Sequence, residues 1–492
     1  MLRVLGSNRN VCDGVSRRDM IQAGGASLLG LGLSDLLRAA DADGNAQHGP
    51  GFGKAKNVIL LFLYGGVSQL DTFDPKPGAP ADIRGPCQPI STAITGVQIG
   101  EHLPQVATKL DRVSLVRSMS HPHPIHGVAF ATTGIDKVDI PMELNRDDTR
   151  HWPYFGSVLE YLDEVDHPGA RRPAIPKTMH LPWVQSSRSV PHKRAGLYGG
   201  FLGARYNPVV AEFVGEPTNE NTYRPFDPYG GIKPDCRFEV QGTGLPDGLT
   251  IDRLSVRDSL LDQFDHRRRD LDTSQIGSSL DRFRDMAMSV IASPRLRDAL
   301  DISNEPAALR ARYGHHLFGQ SALLARRLVE SGTRLVSVFW DEFKQSCGTW
   351  DTHEKQSPRL KDELCPGFDQ AFTALFEDLE NRGMLDETLV LCLTEHGRTP
   401  KAERRGDSAD GRGHWSQAYS CLFAGAGIQE GQVIGSTDRD AAFVANHPVS
   451  PNDVLHTIYH LLGVDSHRLI PDRLGRPLPL VADGEIVADL LA

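Results

Sequence analysis

Five short apolar runs constrain this chain more than any other feature: Asn57–Leu63, Val113–Val116, Leu335–Trp340, Thr388–Thr394 and Tyr419–Ala424. Each is too short for a helix and lacks the polar alternation of a half-exposed strand, so each reads as a strand buried on both faces of a parallel sheet. Helical patterns lie between them. Phe318–Ser331, Phe368–Arg382 and Asn452–Leu462 carry apolar residues at three- and four-residue steps and stop at Gly332, Gly383 and Gly463. Strand and helix alternate, which predicts an α/β fold, a doubly wound, mainly parallel sheet with helices on both faces. Ligands of such sheets bind beyond the carboxyl ends of the strands. The stretch 168–280 breaks the pattern, being rich in Pro, Gly and aromatics up to about residue 250, and reads as a long loop-rich insertion.

The N-terminus reads as a leader. Ser16-Arg17-Arg18-Asp19-Met20-Ile21 precedes a Gly-broken apolar stretch and then Ala40-Asp41-Ala42, the form of a processing site. Residues 1–42 resemble a twin-arginine export signal, 43–55 a linker, and 56–492 the α/β domain. A periplasmic or secreted location follows, and no later stretch is long and apolar enough for a stable membrane span. The formal net charge of −10 excludes a general nucleic-acid binder, which needs a basic surplus to displace counterions. Seven cysteines without a C-x-x-C pair permit disulfides but do not indicate them.

The 19 histidines are where the chemistry concentrates. Gly65-Gly66-Val67-Ser68-Gln69-Leu70-Asp71 follows the first strand, placing Asp71 as a metal ligand or general base, or as a turn cap. His121, His123 and His126 alternate with proline after the second strand, a wall suited to a metal or a phosphate. Trp350-Asp351-Thr352-His353 lies beyond the third strand, Glu395-His396-Gly397-Arg398 directly after the fourth, and Gly411-Arg412-Gly413-His414 before the fifth. Asp351, His353, Glu395, His396 and His414 together are the carboxylate and imidazole set that a divalent cation needs, whether Zn, Mn, Ca or Mg. Arg398 and Arg412 suit an anionic oxygen of a substrate, as permanently charged bidentate donors.

These segments, taken in order from about Lys56 to Leu462, resemble the domain-of-unknown-function family 1501, of the alkaline phosphatase/sulfatase superfamily. The resemblance implies twin-arginine export and one or two divalent cations that activate a nucleophile and clamp phosphate or sulfate. Glu395-His396-Gly397 resembles the superfamily's Asp-His-Gly ligand step. Asp351 and His353 resemble its earlier acid and histidine ligands at a tighter spacing, and His414 its late histidine. Two departures stand out. Family members more often carry Phe in place of His396, and the superfamily's Ser, Thr or Cys nucleophile is expected where Ile125 and His126 stand, ahead of Thr133-Gly134. His126 is then a nucleophile, an acid/base residue, a metal ligand or the relic of a lost site. The formylglycine signal C-x-P-x-R is absent: Cys87-Gln88-Pro89-Ile90-Ser91 lacks its arginine, and Cys87 reads as structural. The expectation is an exported metal-dependent hydrolase of small-molecule or polysaccharide phosphate or sulfate esters. Its rival is a non-catalytic envelope protein that recognises an anionic polysaccharide. Substrate, metal identity and oligomeric state stay open at this level.

Overall fold

The computed structural model describes residues 49–134, 148, 150–168, 175–189, 194–219, 223–240, 293–345, 348–405 and 408–492. The chain divides into two compact units, Met1–Phe52 and Gly53–Ala492. Of the first only a turn at 49–52 is described, so the segment 1–42 read as an export signal lies outside the described residues. The rest concerns the second unit.

Among the described residues nine strands form its main sheet: β1 (Asn57–Leu63), β2 (Ser114–Met119), β3 (Thr178–Leu181), β4 (Val209–Val214), β5 (Arg237–Val240), β6 (Leu335–Trp340), β7 (Thr388–Leu393), β8 (Tyr419–Gly425) and β9 (Val433–Ile434). Their order is β9-β2-β8-β7-β1-β6-β3-β4-β5. Alternate residues of β1 point into different cores, because side chains alternate across a strand. Val58, Leu60 and Phe62 join one apolar cluster, while Ile59, Leu61 and Leu63 join the other. The first is closed by α1 (Val128–Thr133), α2 (Phe155–Asp166) and α5 (Pro451–Leu461), the second by α3 (Leu317–Ser331) and α4 (Cys365–Asn381). Helices thus cover both faces, as the alternating pattern predicts. The expected glycine stops are present: Gly332 takes a left-handed conformation at φ 113°, and Gly383 and Gly463 do so at 65° and 74°. Among the described residues, no helix is long and apolar enough to cross a membrane.

Two expectations need correction. β8 is antiparallel to both its neighbours, β7 and β2. An apolar run gives no strand direction, and Tyr419–Ala424 looked parallel only because it is buried on both faces. The stretch read as an insertion supplies β3, β4 and β5, with β3 and β4 parallel to the central strands and β5 antiparallel at the edge. β4 is half-exposed, and β5 spans only four residues that alternate between exposed and buried. So short an alternation is hidden by the surrounding Pro and Gly. Residues 241–292, the remainder of that stretch, lie outside the described residues.

Register decides where chemistry is possible. Leu63 pairs with Trp340 and Phe62 with Leu393, so β1, β6 and β7 end level with one another. Tyr64-Gly65-Gly66, Asp341-Glu342 and Thr394-Glu395-His396 therefore emerge side by side at the carboxyl edge, where a parallel sheet binds its ligands.

Candidate functional site

The site is built around Asp351, whose carboxylate is buried under the end of β1. Its Oδ1 accepts from Arg398 Nη2 at 2.5 Å and lies 3.1 Å from His353 Nε2 and 3.2 Å from His414 Nε2. Its Oδ2 is 3.3 Å from His126 Nε2. On the far side of His126, Nδ1 is 3.1 Å from Glu395 Oε1, which also accepts the Gly65 N–H at 2.8 Å. His126 is thus held between two carboxylates, and its ring lies 4.2 Å from that of His414 and 5.4 Å from that of His396.

Gly65 and Gly66 make this approach possible. Both have left-handed φ, 113° and 93°. A Cβ on Gly65 would stand on the main-chain nitrogen of Asp351, and one on Gly66 on the imidazole of His396. Gly65→Ala is therefore expected to add about 1–3 kcal/mol of backbone strain and to push Asp351 out of place. Denaturant unfolding and metal stoichiometry of the purified variant should both fall, and an unchanged protein by both measures rejects this role.

Hydrogen bonding fixes the tautomer of His396. His396 Nδ1 is 2.8 Å from the Gly397 carbonyl, which only accepts, so the proton is on Nδ1. Its Nε2 is then a lone pair, fully buried and without a hydrogen-bond partner among the described residues. His414 has an acceptor at each nitrogen, the Pro124 carbonyl 3.3 Å from Nδ1 and Asp351 Oδ1 3.2 Å from Nε2, with His353 Nε2 a further 3.1 Å from its Nε2, so either nitrogen can carry its proton. Burial and neighbouring positive charge hold His396 neutral, well below the usual imidazole range, and burial also lowers His414. Lone pairs that converge with a carboxylate repel one another unless a cation lies between them. Asp351, His353 and His414 form one ligand group, and His126, His396 and His414 another, each with donor atoms within 4.8 Å. Nitrogen and oxygen donors of this kind fit zinc or another borderline divalent ion. His353 and His414 keep about a fifth of their side chains exposed, so the cluster is open on that side.

The other expected residues fall elsewhere. Asp71, expected as a ligand or general base, accepts at Oδ2 from Ser68 Oγ at 2.5 Å, Gln356 Nε2 at 2.6 Å and Arg412 Nε at 3.0 Å. Arg412 is spent in the same network: Nη1 bonds the Thr399 and Pro400 carbonyls and Nη2 that of Ile83. The pair is a buried clasp between the loops after β1 and β7. Removing one partner of such a pair leaves a bare buried charge, so Arg412→Ala should cost about 3–5 kcal/mol in unfolding free energy. An anion-binding role predicts instead normal stability with weakened anion affinity. His121 donates from Nε2 to the Glu395 carbonyl at 2.6 Å and accepts the His123 N–H at Nδ1, so it braces the Glu395 loop. The His123 ring stacks on Phe130, centroids 5.3 Å apart. Neither ring belongs to the donor cluster.

The sequence reading missed Glu342. It is fully buried at the end of β6, with Arg194 Nη2 at 3.9 Å. Burial raises its pKa, and the charges of Arg194, His126 and Asp351 reach it. The signal was available, since Asp341-Glu342 follows its strand as Glu395 follows Thr394.

A doubly wound α/β protein with a carboxylate and imidazole centre at level strand ends is the class that fold and geometry define. The chain belongs to the family described as "Protein of unknown function (DUF1501)", whose model matches residues 55–491. Among solved structures it is similar to the PsFucS1 sulfatase from Pseudoalteromonas sp., at 15% identity and TM-score 0.40, covering 92% of this chain and 74% of that one. It is also similar to a protein in the alkaline phosphatase superfamily from Vibrio parahaemolyticus, at 10% identity and TM-score 0.37, covering 87% and 70%. A third is the phosphonate monoester hydrolase SpPMH from Silicibacter pomeroyi, at 11% identity and TM-score 0.33, covering 88% and 76%. No match was found among curated proteins.

Proposed function

We propose that the protein is an exported, metal-dependent hydrolase of phosphate or sulfate esters, with Asp351, His353, His396 and His414 holding the cation. The observation that carries this reading is the buried lone pair of His396 Nε2, which has no hydrogen-bond partner among the described residues, on an imidazole grouped with those of His126 and His414, the last of which also joins Asp351 and His353. A divalent ion bound there supplies Lewis acidity to an ester oxygen and lowers the pKa of water. The ester class comes from the sequence resemblance, and the anionic character of the substrate has support in the surroundings. A cavity of about 310 Å³ beside His353 is lined by Arg224, Lys355, Arg359 and Arg405, against one acid, Glu354.

The chain's own groups divide the remaining work. Arg398 Nη2 grips Asp351 while its Nε and Nη1 have no partners among the described residues, so the three N–H groups of these two nitrogens remain for an anionic oxygen. His126 has each ring nitrogen on a carboxylate, which makes it a poor nucleophile and a good holder of a proton. Water is then the attacking group, and His126 takes up or returns a proton through Asp351 or Glu395. Glu395 keeps His126 oriented, and the Gly65 N–H holds Glu395 in place.

Metal analysis of purified protein, with a panel of aryl phosphate and sulfate esters, tests the reading. One or more equivalents of a divalent metal and ester cleavage lost in His396→Ala support it. Protein without stoichiometric metal rejects the centre. Metal-bound protein inert towards every ester rejects the hydrolase in favour of a binding protein, which the missing Ser, Thr or Cys nucleophile favours.

A further inference from the structure

We propose that Cys87, Glu101 and His102 form a separate site for a borderline-soft divalent cation, zinc being the natural occupant. The hairpin Pro89–Ser91 with Gln98–Gly100 creates it, since Pro89 pairs with Gly100 and the two ends come level. Cys87 precedes one strand, and Glu101 and His102 follow the other. Their ligand atoms all lie within 4.8 Å of one another, with Glu101 Oε1 4.0 Å from His102 Nε2. Zn–S of about 2.3 Å and Zn–N of about 2.0–2.1 Å require somewhat closer donors. His102 and Glu101 are partly exposed, at 19% and 37% of their side chains, so rotamer changes can close that gap.

Several features of the surroundings favour a cation. The Gln88 N–H donates to Glu101 Oε1 at 3.0 Å, fixing one face of the carboxylate. The thiol of Cys87 donates to the main-chain carbonyl of Asp71 at 3.3 Å. Cation binding displaces that proton to solvent, and the thiolate becomes the ligand. A cavity of about 360 Å³, lined by Asp71, Cys87, Glu101, His102, Ser357 and Lys361, provides the entry path and room for water as a fourth ligand. One sulfur, one imidazole nitrogen and one carboxylate oxygen with an open position select zinc over magnesium or calcium. The ion would staple the hairpin to the Asp71 segment, whose side chain clasps Arg412.

This site is independent of the hydrolase reading, because the Asp351 cluster contains no sulfur. The test titrates the full chain with Co²⁺ or Cd²⁺ and follows the thiolate-to-metal charge-transfer absorption. The expected result is one metal equivalent with that band. Cys87→Ser should abolish it, His102→Ala should weaken binding about tenfold or more, and Cys12→Ser and Cys347→Ser should leave it intact. Unfolding of the metal-free variants checks that each is folded, and His102→Ala, altering a partly exposed side chain, keeps the test valid should Cys87→Ser fail. No band, or one that survives Cys87→Ser, overturns the assignment whatever the Asp351 centre does.

Discussion

Asp351→Asn is expected to abolish stoichiometric metal binding at the histidine cluster and to lower the stability of the metal-free protein by about 3–5 kcal/mol. The substitution keeps the shape and removes one charge. That charge faces Arg398 at 2.5 Å, and Arg398 is fully buried with two further nitrogens unpaired among the described residues, so the variant buries a guanidinium that has lost the carboxylate it contacts. His126 loses one of its two carboxylates as well. Burial, the largest single influence on Asp351, raises its pKa, yet Arg398 and then His126 more than reverse this and hold it well below the ordinary range. A depressed carboxylate contributes stability above its unfolded pKa and loses it as pH falls through the folded one. The advantage of wild type over the variant should therefore be complete at neutral pH and shrink below about pH 4. Denaturant unfolding in chelator, with elemental analysis of metal-loaded samples, reads both effects. A variant with wild-type stability and a full metal complement removes Asp351 from the centre.

How far this site is legible in sequence depends on how local its signals are. Glu395 and His396 directly follow an apolar run, so strand and ligand step are read together. Asp351 and His353 are placed in the same way, once the strand ending at Trp340 is recognised. Asp71 and Arg412 have the same outward signal, acid or base in a Gly-rich loop beyond a strand, yet they neutralise each other across 341 residues of sequence. Nothing local distinguishes a charge spent on a partner from one kept for a substrate. His121 is a similar case: its hydrogen bond is to the Glu395 carbonyl, 274 residues away. The sheet follows the same rule. Its central strands are continuous apolar runs, whereas β5 is the edge strand and β4 lies next to it, where partial exposure leaves a weak pattern.

The proton on His126 gives the second large effect. Burial is the strongest single influence and pushes this imidazole down, but Asp351 and Glu395 together outweigh it and bring it up to about 9. Against about 6.5 for a free imidazole, the rise corresponds to about 3 kcal/mol. Because the folded value lies above the unfolded one, the contribution is fully present below about pH 6.5 and is lost as pH climbs through about 9. Metal-free protein should accordingly lose about 3 kcal/mol of stability across that window, and His126→Gln should flatten the curve. Metal loading reverses the electrostatics. A divalent ion at Asp351 takes up the field that holds the imidazolium, so binding should release a proton over the same window and affinity should rise with pH by up to about tenfold per pH unit. Chelator-competition titrations at several pH values, with calorimetry in two buffers of different ionisation enthalpy, measure that exchange. An affinity independent of pH, with no proton released, would separate His126 from the centre and leave Asp351 to Arg398 alone.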